Sequence, residues 1–240
     1  LTGIGMTGGI RRWEAQSRAS FERQRLRPAG DQVVFQRYDP EASKRDAGAA
    51  IAAARQLLAA APQDALGVPL LDERSVAALA LAFAPTFEIA TSAEHDRFGP
   101  LMWIDLGGLV APRADRYWLD VDPSQPVVYY QLTFTRFGQV TLPQLLYAIW
   151  FPERMAADGS DWEAGRIDGL IWRVTLDPEG QTLIYDAVHP SGCCHQFFNT
   201  GRLMPKSAPA GHEIGEWAFS PLGMPVDAWV AGVGIDGSRA

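Results

Sequence analysis

Cysteine and histidine are scarce in this chain. Its 240 residues include only two cysteines and four histidines. Such a count excludes a disulfide-rich scaffold, and the cysteines do not follow the paired Cys-x-x-Cys spacing of common zinc fingers. Because the cysteines are neighbours, a bond between them would close almost no loop and would not staple the fold.

Basic charge and long apolar runs are also missing. The chain has 21 Lys and Arg against 28 Asp and Glu, a formal charge of -7, which argues against a nucleic-acid partner. No run of about 20 mainly apolar residues marks a transmembrane segment. The composition, 47% hydrophobic and 20% charged, is that of a folded protein. We expect a soluble protein of the bacterial cytoplasm or cell envelope, with a small-molecule or protein partner.

The sequence pattern predicts an α+β fold, in which N-terminal helices pack on a mostly antiparallel β-sheet. Asp39-Pro40-Glu41 suits the start of a helix over residues 41–61, and Asp72 is a good N-cap for a helix over residues 72–83. Beyond residue 85, β-branched and aromatic runs alternate with turn formers. We therefore divide the chain into a helical section, 1–85, and a mostly β section, 86–240, within one continuous domain.

A β-hairpin is the clearest local prediction. Gly169–Leu176 and Gln181–His189 flank Asp177-Pro178-Glu179-Gly180, which has Pro and Gly where a turn favours them. Pairing Leu176 with Gln181 places Trp172 opposite Tyr185, and it places Arg173 and Asp186 on a diagonal of the other face. The hairpin delivers His189 to the end of a strand.

The segment after this strand collects the reactive side chains. It reads His189-Pro190-Ser191-Gly192-Cys193-Cys194-His195 and holds both cysteines and half of the histidines. In one hypothesis, His189, Cys193 and His195 bind Zn²⁺ or copper, for which thiolate and imidazole are suitable ligands. In a second, Cys193 or Cys194 is a nucleophile and His189 or a distant histidine is its base. In a third, the thiols are buried apolar fillers and the imidazoles are hydrogen-bonded spacers.

Three charged residues near strand ends are further candidates. Glu153 follows an apolar strand and is a candidate acid/base, fourth metal ligand or orienting partner of a histidine. Arg136 and Arg154 are candidate cofactor-binding cations. The alternative for all three is a solvated surface role.

Several segments carry a resemblance: Thr135-Arg136-Phe137-Gly138, Trp150-Phe151-Pro152-Glu153-Arg154, Asp168-Gly169-Leu170-Ile171-Trp172-Arg173-Val174, and Tyr185-Asp186 through Phe198. Over residues 129–198, about a third of the chain, they resemble an uncharacterised family of bacterial proteins. The resemblance implies no activity and carries no catalytic residue across.

The leading functional hypothesis is an enzyme with a metal-assisted or thiol-dependent site in the loop 189–195 and an unknown substrate. No Walker phosphate loop, Gly-x-Ser-x-Gly elbow, His-Glu-x-x-His motif or Rossmann fingerprint narrows the reaction. The alternative is a non-catalytic binding or assembly module, of the cell envelope, which the aromatic content and long loops favour.

Overall fold

The structure is a computed structural model that describes residues 34–40, 47–105, 117–156, 164–192 and 195–203. Within these ranges, the helices lie before residue 97, among the first strands, and only strands come after it. In chain order they are β1 (Val34–Tyr38), α1 (Ala47–Ala60), α2 (Glu73–Ala82), β2 (Phe87–Thr91), a short 3₁₀ helix (Glu94–Asp96), β3 (Leu101–Asp105), β4 (Tyr117–Val121), β5 (Tyr129–Phe137), β6 (Val140–Arg154), β7 (Gly165–Leu176), β8 (Thr182–Val188) and β9 (Gln196–Asn199).

The main sheet has five strands in the order β5-β6-β7-β8-β9, so each strand pairs with its neighbours in sequence. Two smaller sheets pair β1 with β2 and β3 with β4. Every one of these pairings is antiparallel. The predicted α+β class with mostly antiparallel strands is therefore confirmed. Most of the predicted 1–85 section is described, but residues 1–33 and 41–46 lie outside the described ranges.

One face of the main sheet carries the hydrophobic core. Alternate residues of the central strands point to this face, as the period of two along a strand requires. Side chains of α1, α2 and β2 join the same cluster. Its fully buried members include Leu58, Leu79, Phe98, Leu145, Tyr147, Ile149, Trp172 and Val174. Among the described residues, neither helix is long and apolar enough to cross a membrane.

Tyr147 connects the sheet to the end of α2. Its buried hydroxyl donates a 2.7 Å hydrogen bond to the carbonyl of Ala80. The last carbonyls of a helix have no partner within the helix, so this bond satisfies a group that burial would otherwise leave unpaired. Burial raises the pKa of the Tyr147 hydroxyl well above its ordinary value, and it remains a donor at neutral pH. At the other end of α2, Asp72 accepts from Ser75 N–H at 2.8 Å, as its predicted capping role requires.

The β7–β8 hairpin forms, but its predicted register is wrong by two residues. Trp172 lies opposite Ala187 instead of Tyr185, which pairs with Val174. The turn closes on Asp177, whose N–H donates to the carbonyl of Gln181 at 2.8 Å, and a bulge at Thr175 and Leu176 adds a second shift. Beyond the bulge the total shift is even, so the side chains from Thr175 and Ile184 toward the other end of the hairpin keep their predicted faces.

We predict that Tyr147→Phe lowers the free energy of unfolding by about 1–3 kcal/mol, because the Ala80 carbonyl loses its buried donor. Urea denaturation measures the change. Tyr130→Phe is the matched control, since Tyr130 lies directly opposite Tyr147 in the β5–β6 register and is half exposed. An equal loss in both variants would contradict the role given to this hydrogen bond.

Candidate functional site

The candidate site lies where β8 ends and the chain turns toward β9. His189 directly follows the last residue of β8, as the sequence predicts. The turn is closed by Gly192 N–H, which donates to the carbonyl of His189 at 2.8 Å. The strand thus fixes the backbone of His189, and the turn places Ser191 beside its ring.

The His189 imidazole bridges a carboxylate and a hydroxyl. Its Nε2 lies 2.6 Å from Asp168 Oδ1, and its Nδ1 lies 2.6 Å from Ser191 Oγ. Asp168 belongs to β7, and its side chain lies toward the end of the face that carries Trp172. Carboxylate, imidazole and hydroxyl therefore form one continuous hydrogen-bonded chain, a general base oriented by an acid and directed at an alcohol.

The backbone N–H of Ser191 favours one tautomer of the neutral His189 ring. Ser191 N–H, which can only donate, points to His189 Nδ1 at 3.2 Å. Nδ1 is then an acceptor, so the ring proton lies on Nε2 and is donated to Asp168. In this tautomer the single lone pair of Nδ1 is shared between the N–H and the hydroxyl of Ser191, and it can receive the hydroxyl proton.

A missing side chain lets the turn approach β7. Gly169 is buried, and a Cβ built on it would lie 2.9 Å from Cγ of Pro190 and 3.0 Å from both the carbonyl of Ile149 and the ring of Trp150. Only glycine leaves room for Pro190 to pack here, which brings His189 to Asp168. The N–H of Gly169 also donates to Asp168 Oδ1 at 2.7 Å and holds the carboxylate in place.

The residue before Asp168 has an unfavourable backbone conformation. Ile167 has φ 62°, and among the described residues no other non-glycine residue has positive φ. A β-branched side chain in this region costs on the order of 1–3 kcal/mol. Ile167 lies between Arg166, which is bonded to Asp120, and Asp168, which is bonded to His189. The strained residue therefore lies between the two side chains that make these contacts.

His195 lies in a different cluster, on the other face of the sheet. Its Nε2 is 2.9 Å from Asp186 Oδ1 and 2.8 Å from Arg173 Nη2, and its ring centroid lies 4.1 Å from that of Phe197 at an interplanar angle of 33°. Arg173 and Asp186 are directly opposite and joined at 2.6 Å, and the Asp186 side chain is only 3% exposed. The two histidines predicted to act together are each hydrogen-bonded to a separate carboxylate.

The metal hypothesis stays a prediction. Cys193 and Cys194 lie outside the described residues, so their relation to His189 and His195 is not given. In the part of the chain that the structure does describe, no group of three or more His, Cys, Asp or Glu side chains is placed to hold a metal ion.

The other predicted site residues lie at two opposite ends of the main sheet. Glu153 is exposed and pairs with Arg166, two positions along β6 from Phe151, which pairs with Asp168. It is therefore at the same end of the sheet. Arg154 follows it and pairs with Gly165. Arg136 pairs with Thr141 near the β5–β6 turn, at the opposite end of the sheet.

Asp168 and Ser191 belong to the candidate site, but the sequence pattern does not single them out. Ser191 lies inside the reactive segment, two residues after His189, where a turn brings such a pair together. Asp168 is 21 residues away, but it lies on the same face as His189 in both the predicted and the observed hairpin register. Extending the predicted hairpin by one pair would have found it.

No family model matches the chain, and no curated protein or solved structure is significantly similar to it.

We predict that Ile167→Gly has a free energy of unfolding about 1 kcal/mol higher than that of Ile167→Ala. The reason is that only glycine adopts positive φ without strain. Chemical denaturation of Ile167→Gly and Ile167→Ala measures this difference. The matched pair Ile171→Gly and Ile171→Ala, at an ordinary position of the same strand, should show alanine to be better. The same order at both positions would contradict the strained conformation.

Proposed function

We propose that this protein is an enzyme that transfers or hydrolyses acyl groups, with Ser191 as nucleophile, His189 as general base and Asp168 as the orienting acid. The observation that carries the proposal is the single imidazole held at 2.6 Å by a carboxylate on one nitrogen and a hydroxyl on the other. Nucleophile, base and orienting group in mutual hydrogen-bond contact are the arrangement that activates a serine.

The proton transfers of such a reaction use these three groups and water. His189 Nδ1 takes the hydroxyl proton as Ser191 Oγ bonds to the carbonyl carbon of an ester or similar acyl compound. The resulting imidazolium is stabilised by the Asp168 carboxylate, and it returns the proton to the leaving alcohol as the acyl bond breaks. A water molecule then gives its proton to Nδ1 and attacks the acyl-serine, which releases the acid and restores the hydroxyl.

The position of the site supports access to a substrate. Ser191 and Gly192 are exposed, whereas His189 and Asp168 are partly covered. The nucleophile therefore faces solvent while its base is anchored from behind by β7. In contrast, Nε2 of His195 already contacts both an arginine and a buried carboxylate, which favours a structural role for that ring.

The thiol-dependent and metal-assisted versions of the site stay predictions, as does the non-catalytic binding or assembly module. The thiol version keeps His189 as base and replaces Ser191 by Cys193 or Cys194. The metal version uses His189, Cys193 and His195 as ligands, with zinc or copper. Each differs from the serine version in the residue whose loss abolishes activity.

A fluorophosphonate probe tests the proposal directly, because it bonds covalently to activated serine hydroxyls. We predict that the probe labels Ser191, as located by peptide mass mapping. We also predict that the protein hydrolyses p-nitrophenyl acetate. His189→Gln should slow labelling by about 10²–10⁴-fold, the range that a general base contributes. Asp168→Asn should slow it by roughly 10²-fold or more, through loss of the oriented tautomer.

Ser124→Ala is the matched control, since Ser124 is an exposed turn serine whose N–H is bonded to Asp122. Its labelling rate should equal that of the unmodified protein. Unchanged labelling in Ser191→Ala would contradict the proposal. Loss of activity in Cys193→Ala but not in Ser191→Ala would assign the site to the thiol version instead.

A further inference from the structure

Within the described residues, strand β5 is an edge of the main sheet, and its own sequence lacks the residues that usually protect an edge. It pairs with β6 along all nine residues without a bulge, and no described strand pairs with its other side. Residues 129–135 contain no proline and no charge. Natural edges of this length are commonly interrupted by such residues or by a bulge, because unpaired backbone groups otherwise recruit another strand.

The β5–β6 turn determines which backbone groups of β5 are free. Two residues, Gly138 and Gln139, connect Phe137 to Val140, and Gly138 has φ 63°, as a type II′ turn requires. In such a hairpin the closing pair exchanges both hydrogen bonds, so the odd-numbered residues of β5 bond to β6. The even-numbered residues, 130 to 136, direct their N–H and C=O groups away from the sheet.

The exposed side chains of β5 complement a second copy of the same strand. In an antiparallel pair centred on Thr133, Tyr130 of one copy lies opposite Arg136 of the other, and Tyr129 lies opposite Phe137. Tyr130 is 50% exposed and Phe137 is 68% exposed. The pairing covers them with a guanidinium–aromatic contact and an aromatic pair, each made twice by symmetry. Even-numbered residues of one copy also lie opposite even-numbered residues of the other. Their outward-directed N–H and C=O groups can therefore hydrogen-bond across the interface.

We propose that two copies of this chain associate through β5 and form one continuous ten-stranded antiparallel sheet. The two-fold axis passes beside Thr133, and the interface is isologous, as in most homodimers. Because β5 and β9 are opposite edges of the sheet, the turn with His189 and Ser191 stays open in both copies. The inference is independent of the proposed function.

Cysteine cross-linking tests the position of the axis. Thr133 and its copy form a non-hydrogen-bonded pair with Cα atoms about 4.5 Å apart, which suits a disulfide. We predict that Thr133→Cys gives a covalent dimer under mild oxidation. Thr135→Cys, on the same face of the same strand, is the matched control. Its copies are separated by four residues, about 13 Å along the strands, and it should not cross-link. Equal cross-linking of the two variants, or none in either, would overturn the proposal.

A charge exchange tests the register by non-covalent association, measured by light scattering. The unmodified protein should have twice the monomer mass at roughly 100 μM. Tyr130→Lys faces Arg136 of the second copy twice, and it should weaken the dimer at least about tenfold. Adding Arg136→Glu restores opposite charges and should restore the dimer. Leu70→Lys, a charge at an exposed apolar residue outside β5, should change nothing. A monomeric unmodified protein, or a double variant as dissociated as Tyr130→Lys, would overturn the proposal.

Discussion

The antiparallel pairing of β7 with β8 is the constraint on which the rest of the structure depends. It sends Trp172 and Val174 into the same hydrophobic core cluster as side chains of both helices, and it joins Arg173 to Asp186 on the opposite face. The same pairing brings Asp168, near the start of one strand, to His189, at the end of the other. Core, buried ion pair and candidate site are therefore consequences of one register, and a shift by one residue would exchange the faces and remove all three.

Much of this fold follows from the sequence pattern. Residues 142–150 fit both a helical and an extended pattern, and the bulky residues before Pro152 correctly favour a strand, β6. Asp72 is the N-cap that its position predicts. The hairpin register could not be predicted, because it depends on a local bond between Asp177 and Gln181 and on one bulge. The free-energy difference between such registers is small compared with that of burying one face of the sheet. A sequence pattern indicates only which face is buried.

The sequence pattern points to the turn that carries the candidate site but to only part of its residues. Clustering of scarce residues identifies the turn after β8 and His189 within it. It gives no weight to a carboxylate 21 residues away or to an ordinary serine. Nor does it reveal the positive φ of Ile167, since a β-branched residue indicates a regular strand. The resulting site depends on backbone geometry: Gly169 leaves room for Pro190, and the turn closed by Gly192 presents Ser191 to the imidazole.

Asp168 accepts a hydrogen bond from the Nε2 proton of His189 and so leaves Nδ1 unprotonated, as a base toward the Ser191 hydroxyl. Nitrogen-15 NMR of the imidazole side chains measures this directly, with the His189 signals assigned from His189→Gln. We predict that neutral His189 carries its proton on Nε2, hydrogen-bonded to Asp168. We also predict that Asp168→Asn abolishes the preference for this tautomer. A neutral ring protonated on Nδ1, or a tautomer that does not respond to Asp168→Asn, would contradict it.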